Sequence, residues 1–499
     1  MSKKIDLSRR EFLLNSTLLS AAGTVAAPFA LNLFSMNVAA ASTFTSDYKA
    51  LVCIFLAGGN DHNNMVLATD TPSWTGYQAA RNIGGGASIA LPLANLQTLS
   101  VTKNDFVGAR TFALHPNMAQ MKNLFEAGRA AIIANVGPLI GPIADKVAYK
   151  TSQKPNNLFS HSDQTSQWQS TDPSKKNNGW GGRMSDLIKT SNSSQNFSCL
   201  SLSGNTAFLA GETINQYQIN ANGSPVAVSG FNNLFGTSGN FVQPIITTPT
   251  SGNLFEIEHA AITQRAINAQ TSLTNVLSLT ATNSSNPSSI VPAPSQYQNP
   301  NLAPGTLSNN GLANQLKTVA RIIAGRNTLG AHRQVFYVTI GGFDTHDGQA
   351  IGQADLMARL SHAIDYFDTT LKTLGDTTNS TVSDMSSSVT TFTASDFGRT
   401  FTSNGDGTDH GWGAHHFVVG GAVKGKDIYG SFPMTAVTKT STGIDNPLDV
   451  GSGNFIPQVS VDQYAATLAK WFGLNPTTEI PLVFPNLANF PIKDLGFML

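Results

Sequence analysis

The chain has 499 residues, of which 40% are hydrophobic and only 12% charged, with 30 basic and 30 acidic side chains. A soluble domain usually carries about 25% charged residues, so Ser, Thr, Asn and Gln must supply most of the polar surface here. A net charge of zero removes the electrostatic basis for binding nucleic acid or an anionic membrane, while the apolar fraction is ample for a substantial core.

The first 41 residues read as an export signal and are set apart from the fold. Residues 2–12, SKKIDLSRREF, are basic; an apolar stretch runs from Leu13 to Val38; and Val38-Ala39-Ala40-Ala41 is a small-residue cleavage site. The twin arginines Arg9-Arg10 resemble a signal for the twin-arginine (Tat) route. Cleavage is expected after Ala41, which leaves residues 42–499 as a single periplasmic or secreted domain. The alternative for the same stretch is an N-terminal membrane anchor. No other run reaches 18 apolar residues, so no membrane span is expected after signal cleavage.

The mature chain alternates strands and helices. Lys49 to Leu56 is a continuous apolar run ending at Gly58-Gly59, which suits a strand buried on both faces. A loop-rich region follows to about residue 110. Pro116 opens a helix with Met118, Met121, Leu124 and Phe125 on one face, closed by Gly128. Ala130 to Val136 is the next strand. Leu312, Leu316, Val319 and Ile323 form a helical stripe, Val335 to Ile340 a strand, Leu356 to Leu371 a longer helix, and Val389 to Ala394 a strand. A last helix covers about 462–472 before Gly473. This alternation predicts an α/β fold with a mostly parallel central sheet and helices on both faces. Two regions look like loop insertions: 200–250, rich in Gly, Ser, Asn and Thr and read as an insertion or short β-ribbons, and 280–311, polar and rich in proline. Residues 434–453 look similar. Cys53 and Cys199 sit in apolar runs and read as buried thiols in adjacent strands, although an oxidising compartment would also allow a disulfide.

The chemistry gathers at the ends of the predicted strands, where open α/β sheets bind ligands. The first strand gives G-G-N-D with Asp61. The strand after Val335 gives G-G-F-D-T-H with Asp344 and His346, and the one after Val389 gives S-D-F-G-R with Asp396 and Arg399. T-D-H-G-W-G-A-H-H follows with Asp409, His410, His415 and His416. Six of the ten histidines, His62 and His161 included, lie in or beside these segments or in F-S-H-S-D. Carboxylates and imidazoles are ligands that Zn, Mn or Fe would select. Any one of these aspartates could equally be a helix cap or a turn former. Their repetition at successive strand ends points to a metal site. Ser160, three residues before Asp163, fits a helix cap, and a serine at a helix N-terminus beside a metal is also a nucleophile of the right type. Ser162 and Thr165 are the fallback positions.

The runs L-V-C-I-F-L-A-G-G-N-D, S-H-S-D-Q, G-W-G-G-R, G-G-F-D-T-H, S-D-F-G-R-T and D-H-G-W-G, in this order and spread over nearly the whole mature chain, resemble the DUF1501 family. That resemblance implies an alkaline phosphatase-like fold. By position it implies one metal on Asp61 and Asp396 and another on Asp344, His346 and His410, with His415 or His416 as alternatives to His410. It also implies Ser160 as nucleophile. In a hydrolase of this kind Arg399 would neutralise an ester oxygen, and it has no catalytic part if it pairs with a structural carboxylate instead. The sequence departs from the superfamily where a late Asp-His is expected and Asp396-Phe397 stands, which puts the second metal in doubt. No C/S-x-P-x-R motif surrounds Cys53, Cys199 or Ser160, so a formylglycine sulfatase is not expected. The expected activity is hydrolysis of phosphate, less readily sulfate, esters of a small molecule or polymer, using one or two divalent ions of Zn, Mn or Fe. The alternative is a non-catalytic exported binding or envelope protein that keeps the fold.

Overall fold

The computed structural model describes residues 47–82, 88–102, 109–171, 178–220, 223–226, 242–279, 291–374, 384–437 and 445–499. Residues 1–41, expected to be an export signal, and parts of 200–250, 280–311 and 434–453, lie outside the described residues.

A nine-stranded sheet organises the chain. Its strands are β1 (Lys49–Ala57), β2 (Ala130–Gly137), β3 (Cys199–Ser201), β4 (Tyr217–Gln218), β5 (Arg333–Gly341), β6 (Val389–Ser395), β7 (Ala414–Val419), β8 (Ile428–Tyr429) and β9 (Val459–Ser460). The order across the sheet is β8-β2-β7-β6-β1-β5-β3-β4, with β9 also on β2. All pairings are parallel except those of β7, which runs antiparallel to both β6 and β2. The sheet is therefore mostly parallel, and β1, β5 and β6 end at the same rim. Helices α1 (Thr71–Arg81), α2 (Ala119–Glu126), α3 (His161–Ser170), α4 (Trp180–Leu187), α5 (Leu254–Leu279), α6 (Gly311–Ala324), α7 (Gln349–Lys372) and α8 (Val461–Phe472) surround it.

The two-residue period of β1 separates two cores. Ala50, Val52, Ile54 and Leu56 face α2, α6 and α7 through Met121, Val319, Ile323, Leu360 and Ile364. Leu51, Cys53 and Phe55 face α4 and α8 through Trp180, Met184, Tyr464 and Leu468. Burial on both faces is why these strands read as unbroken apolar runs. Each buried Leu or Ile contributes about 1.5–3 kcal/mol, so the two layers hold the rim rigidly.

Several expectations need correction. Cys53 and Cys199 are both free and buried, but β5 lies between their strands, so they are not neighbours. Within the region after β1, the described residues also hold α1, capped by Asp70 at Ser73 N, and a small sheet of 66–68, 97–99 and 112–114, which were not expected. Residues 199–218 supply two strands of the central sheet rather than a detached ribbon. Strand β7 carries His415 and His416, the alternative ligands, and no strand was expected there.

Candidate metal centre

Parallel pairing brings the strand ends together. Ala57 pairs with Gly341, and Leu56 with both Ile340 and Ser395, so the segments after β1, β5 and β6 leave the sheet side by side. Asp344 follows β5 by three residues, and its side chain is 46% exposed. Three imidazoles surround it. His346 Nε2 stands 3.2 Å and His410 Nε2 3.3 Å from Asp344 Oδ1, and His161 Nε2 stands 3.6 Å from Oδ2. The two nitrogens of His346 and His410 are 3.0 Å apart. His161, Asp344 and His410 each offer a ligand atom within 4.8 Å of the others.

The opposite nitrogen of each ring is already engaged. His161 Nδ1 lies 2.7 Å from Asp396 Oδ2 and His410 Nδ1 lies 2.8 Å from the Phe159 carbonyl. Both partners can only accept, so both Nδ1 atoms donate, and each ring turns its other nitrogen, Nε2, toward Asp344. His346 lies between two carboxylates, with Nδ1 3.3 Å from Asp409 Oδ1 and Nε2 3.2 Å from Asp344 Oδ1. Three Nε2 atoms thus converge on one carboxylate, where protons or a cation can sit between them. Ligands about 2.0–2.2 Å from one ion, at angles of about 90–110°, lie roughly 3.0–3.5 Å from each other. The 3.0, 3.2 and 3.3 Å separations fall in that range. Three imidazoles and a carboxylate suit Zn, Mn or Fe.

Electrostatics agree. Burial pushes the Asp344 carboxyl up, but Arg399, His161 and His346 outweigh it and hold the group below the usual carboxylate range. His410 is held below the usual histidine range, first by burial and then by Arg399 and His161, against its bond to Phe159, so it is neutral near pH 7. Arg399, fully buried, donates from Nη1 to Asp344 Oδ1 at 2.6 Å and from Nη2 to the Thr408 carbonyl. Its guanidinium is therefore committed to the carboxylate at the centre of the cluster. Phe397 lies against the rings of His161 and His410, with centroids 4.7 and 4.6 Å away.

The remaining expected residues fall elsewhere. Asp61 does not join the cluster. Both its oxygens accept from Arg81, one at 2.9 Å, and Oδ2 also accepts from Gln349 Nε2 at 2.6 Å. Burial raises the Asp61 carboxyl, but the Arg81 guanidinium prevails and holds it below its usual range. Asp396 touches His161 and accepts from Gly58 N at 3.1 Å. With Asp61 neutralised by Arg81 and Asp396 engaged in this way, these two residues do not fit a second ion. His415 and His416 are fully buried in β7, against Phe432 and against Trp168 and Tyr464 respectively, so neither replaces His410. Ser160 is the N-cap of α3 by position, but its hydroxyl caps no backbone N–H; it donates to Asp163 Oδ2 at 2.7 Å. The residue missed as a ligand is His161. Its signal was present in F-S-H-S-D, but its partner Asp396 lies 235 positions away.

No curated protein matches this chain. Residues 48–450 match the family described as protein of unknown function, DUF1501, and the chain, carrying the four-residue cluster on this α/β frame, belongs to that family.

Proposed function

We propose that this protein is a metal-dependent hydrolase of phosphate, less readily sulfate, esters that acts after export through the Tat route, on an alkaline phosphatase-like frame. The observation that carries the reading is the convergence of three imidazole Nε2 atoms on Asp344. His161, Asp344, His346 and His410 would hold the ion. A divalent cation there supplies Lewis acidity, polarising a phosphoryl oxygen and stabilising charge as it develops. Arg399 keeps Asp344 ionised and fixed. Ser160, next to His161 in sequence, is the proposed nucleophile: its hydroxyl donates to Asp163, which would accept the proton as the oxygen attacks the ester and the alcohol leaves, and water would then cleave the seryl ester to release the anion.

The test is metal analysis of protein purified without chelator, followed by a panel of phosphate and sulfate esters. About one Zn, Mn or Fe per chain, lost in Asp344→Ala and His410→Ala, together with turnover lost in Ser160→Ala, is expected. Metal without turnover on any ester supports the binding-protein alternative. Absence of metal from the parent protein ends the proposal.

A further inference from the structure

We infer that Asp396 is a positioning residue rather than a ligand: it holds the Nδ1–H of His161 so that Nε2, the nitrogen left to bind an ion, faces Asp344. This deepens the metal-centre reading and rests on it. A carboxylate has no hydrogen to give at neutral pH, so the 2.7 Å contact between Asp396 Oδ2 and His161 Nδ1 requires the proton to sit on Nδ1. The other oxygen of Asp396 is anchored by Gly58 N at 3.1 Å, at the end of β1. Asp396 itself is only 5% exposed, and it directly follows β6, the strand paired along β1. Two rigid strands therefore fix the carboxylate, the carboxylate fixes the imidazole, and the imidazole presents Nε2 3.6 Å from Asp344 Oδ2.

The Phe159 carbonyl does the same for His410, at 2.8 Å. That carbonyl is delivered by a backbone in an unusual state: Phe159 has φ of +71°, in the left-handed region that bulky residues avoid, at a cost of about 1–3 kcal/mol. Its own N–H is tied to the side-chain oxygen of Gln164, which lies fully buried on α3. Strain held in this way at the segment bearing Ser160 and His161 fits a backbone shaped to orient a ligand. Such partners of metal-bound histidines typically contribute about 10- to 100-fold in metal affinity.

The decisive comparison is Asp396→Asn against Asp396→Ala. Gly58 N still needs an acceptor, so the asparagine keeps its oxygen there and turns its NH₂ toward His161 Nδ1. His161 must then accept at Nδ1 and carry its proton on Nε2, which blocks the position facing Asp344. Alanine removes the orientation but imposes no wrong tautomer. Competition titration with Zn²⁺ should therefore give one site in the parent, a loss of about 10- to 100-fold in Asp396→Ala, and a larger loss in the near-isosteric Asp396→Asn. A purely structural role predicts the reverse order, because asparagine preserves the shape. The nitrogen chemical shifts of His161 in the metal-free protein give a readout that needs no metal: protonated Nδ1 in the parent and protonated Nε2 in Asp396→Asn are expected. An unchanged tautomer, or an asparagine variant that binds Zn²⁺ as well as the alanine one, overturns the inference. Two ions in the parent falling to one in both variants also overturns it, since Asp396 would then be a ligand. A parent that binds no Zn²⁺ but has the expected tautomers sinks the metal reading and leaves the Asp396–His161 assignment standing.

Discussion

Two nearly identical motifs leave adjacent strands of this sheet and come to opposite ends. G-G-N-D after β1 sends Asp61 into the interior, where its side chain is 1% exposed and bound to a fully buried Arg81. G-G-F-D after β5 leaves Asp344 46% exposed among three histidines. Ala57 pairs with Gly341, so the first glycine of the second motif is level with the residue before the first glycine of the first. Past that level the chains bend differently: Gly58 and Gly59 have φ of +116° and +84°, whereas in the second motif only Gly342, with φ of +101°, is in the left-handed region. The same four-residue pattern therefore ends in a buried partner of Arg81 in one place and among the histidines in the other.

The largest effect should come from breaking the buried pair. Arg81 also donates to the carbonyls of Thr400 and Phe401, so it ties the segment after β6 to Asp61. Asp61→Ala strands that guanidinium without its counter-charge and should cost about 3–5 kcal/mol. Asp344→Ala also takes the counter-charge from fully buried Arg399, but the half-exposed carboxylate leaves water access to that guanidinium, so it should cost less, about 1–3 kcal/mol, while abolishing metal binding. Urea unfolding of both variants, with metal per folded chain measured alongside, checks the contrast. Equal costs would mean that the two aspartates share one role.

Acid should separate the two regions next. His62 follows Asp61 and is pushed down to about 4 from 6.5, chiefly by burial and further by Arg81, against the pull of Asp61. Its folded value lies below its unfolded one. The stability it contributes is therefore complete above pH 6.5 and is lost as pH falls from 6.5 toward 4. That loss is about 3 kcal/mol for His62 alone. His115, lowered to about 4, and His416, lowered to about 3, change stability in the same direction. Denaturant midpoints at pH 7.5 and 4.5, with chelator present to silence the Asp344 cluster, should fall accordingly. A flat profile would show that these rings are protonated in the folded protein.

The legible part of this molecule was what local pattern determines. β1, β2, β5 and β6 are buried on both faces, so their apolar runs stand out, and α6 and α7 show their stripes. The histidines and carboxylates near strand ends were visible for the same reason. Pairing over long separations was not legible. Nothing local distinguishes Asp61 from Asp344, and Arg81 lies in a helix that gave no signal. β7 was hidden because A-H-H-F-V-V reads as a ligand segment, whereas His415 and His416 are both fully buried. His161 was passed over as a ligand because Ser160 beside it fitted a nucleophile.

The glycines of the two motifs allow a finer break. Gly59 has φ of +84°, and a β-carbon there would lie 2.3 Å from the Phe397 ring, which in turn packs on His161 and His410. Gly342 has φ of +101°, but its nearest neighbour would be Leu356 at an ordinary 3.7 Å. Both alanine variants incur backbone strain of about 1–3 kcal/mol. Only Gly59→Ala adds overpacking, worth about another 1–3 kcal/mol, and only it should weaken Zn²⁺ binding by displacing Phe397. Thermal unfolding and metal titration of the pair separate strain from displacement.

The smallest effect on stability should be Ser160→Ala, and that makes it useful. Removing an N-cap hydroxyl bonded to the backbone costs about 0.5–2 kcal/mol. Ser160 makes no such bond: its proton goes to the Asp163 side chain, and the neighbouring Phe159 N–H is tied to Gln164 instead. The variant should lose no more than about 0.5 kcal/mol, as a substitution away from any structural feature does. If unfolding shows that small change while ester turnover disappears, the hydroxyl serves chemistry rather than the helix. A loss near 2 kcal/mol would return Ser160 to the role of a cap, and the nucleophile would have to be sought elsewhere around Asp344.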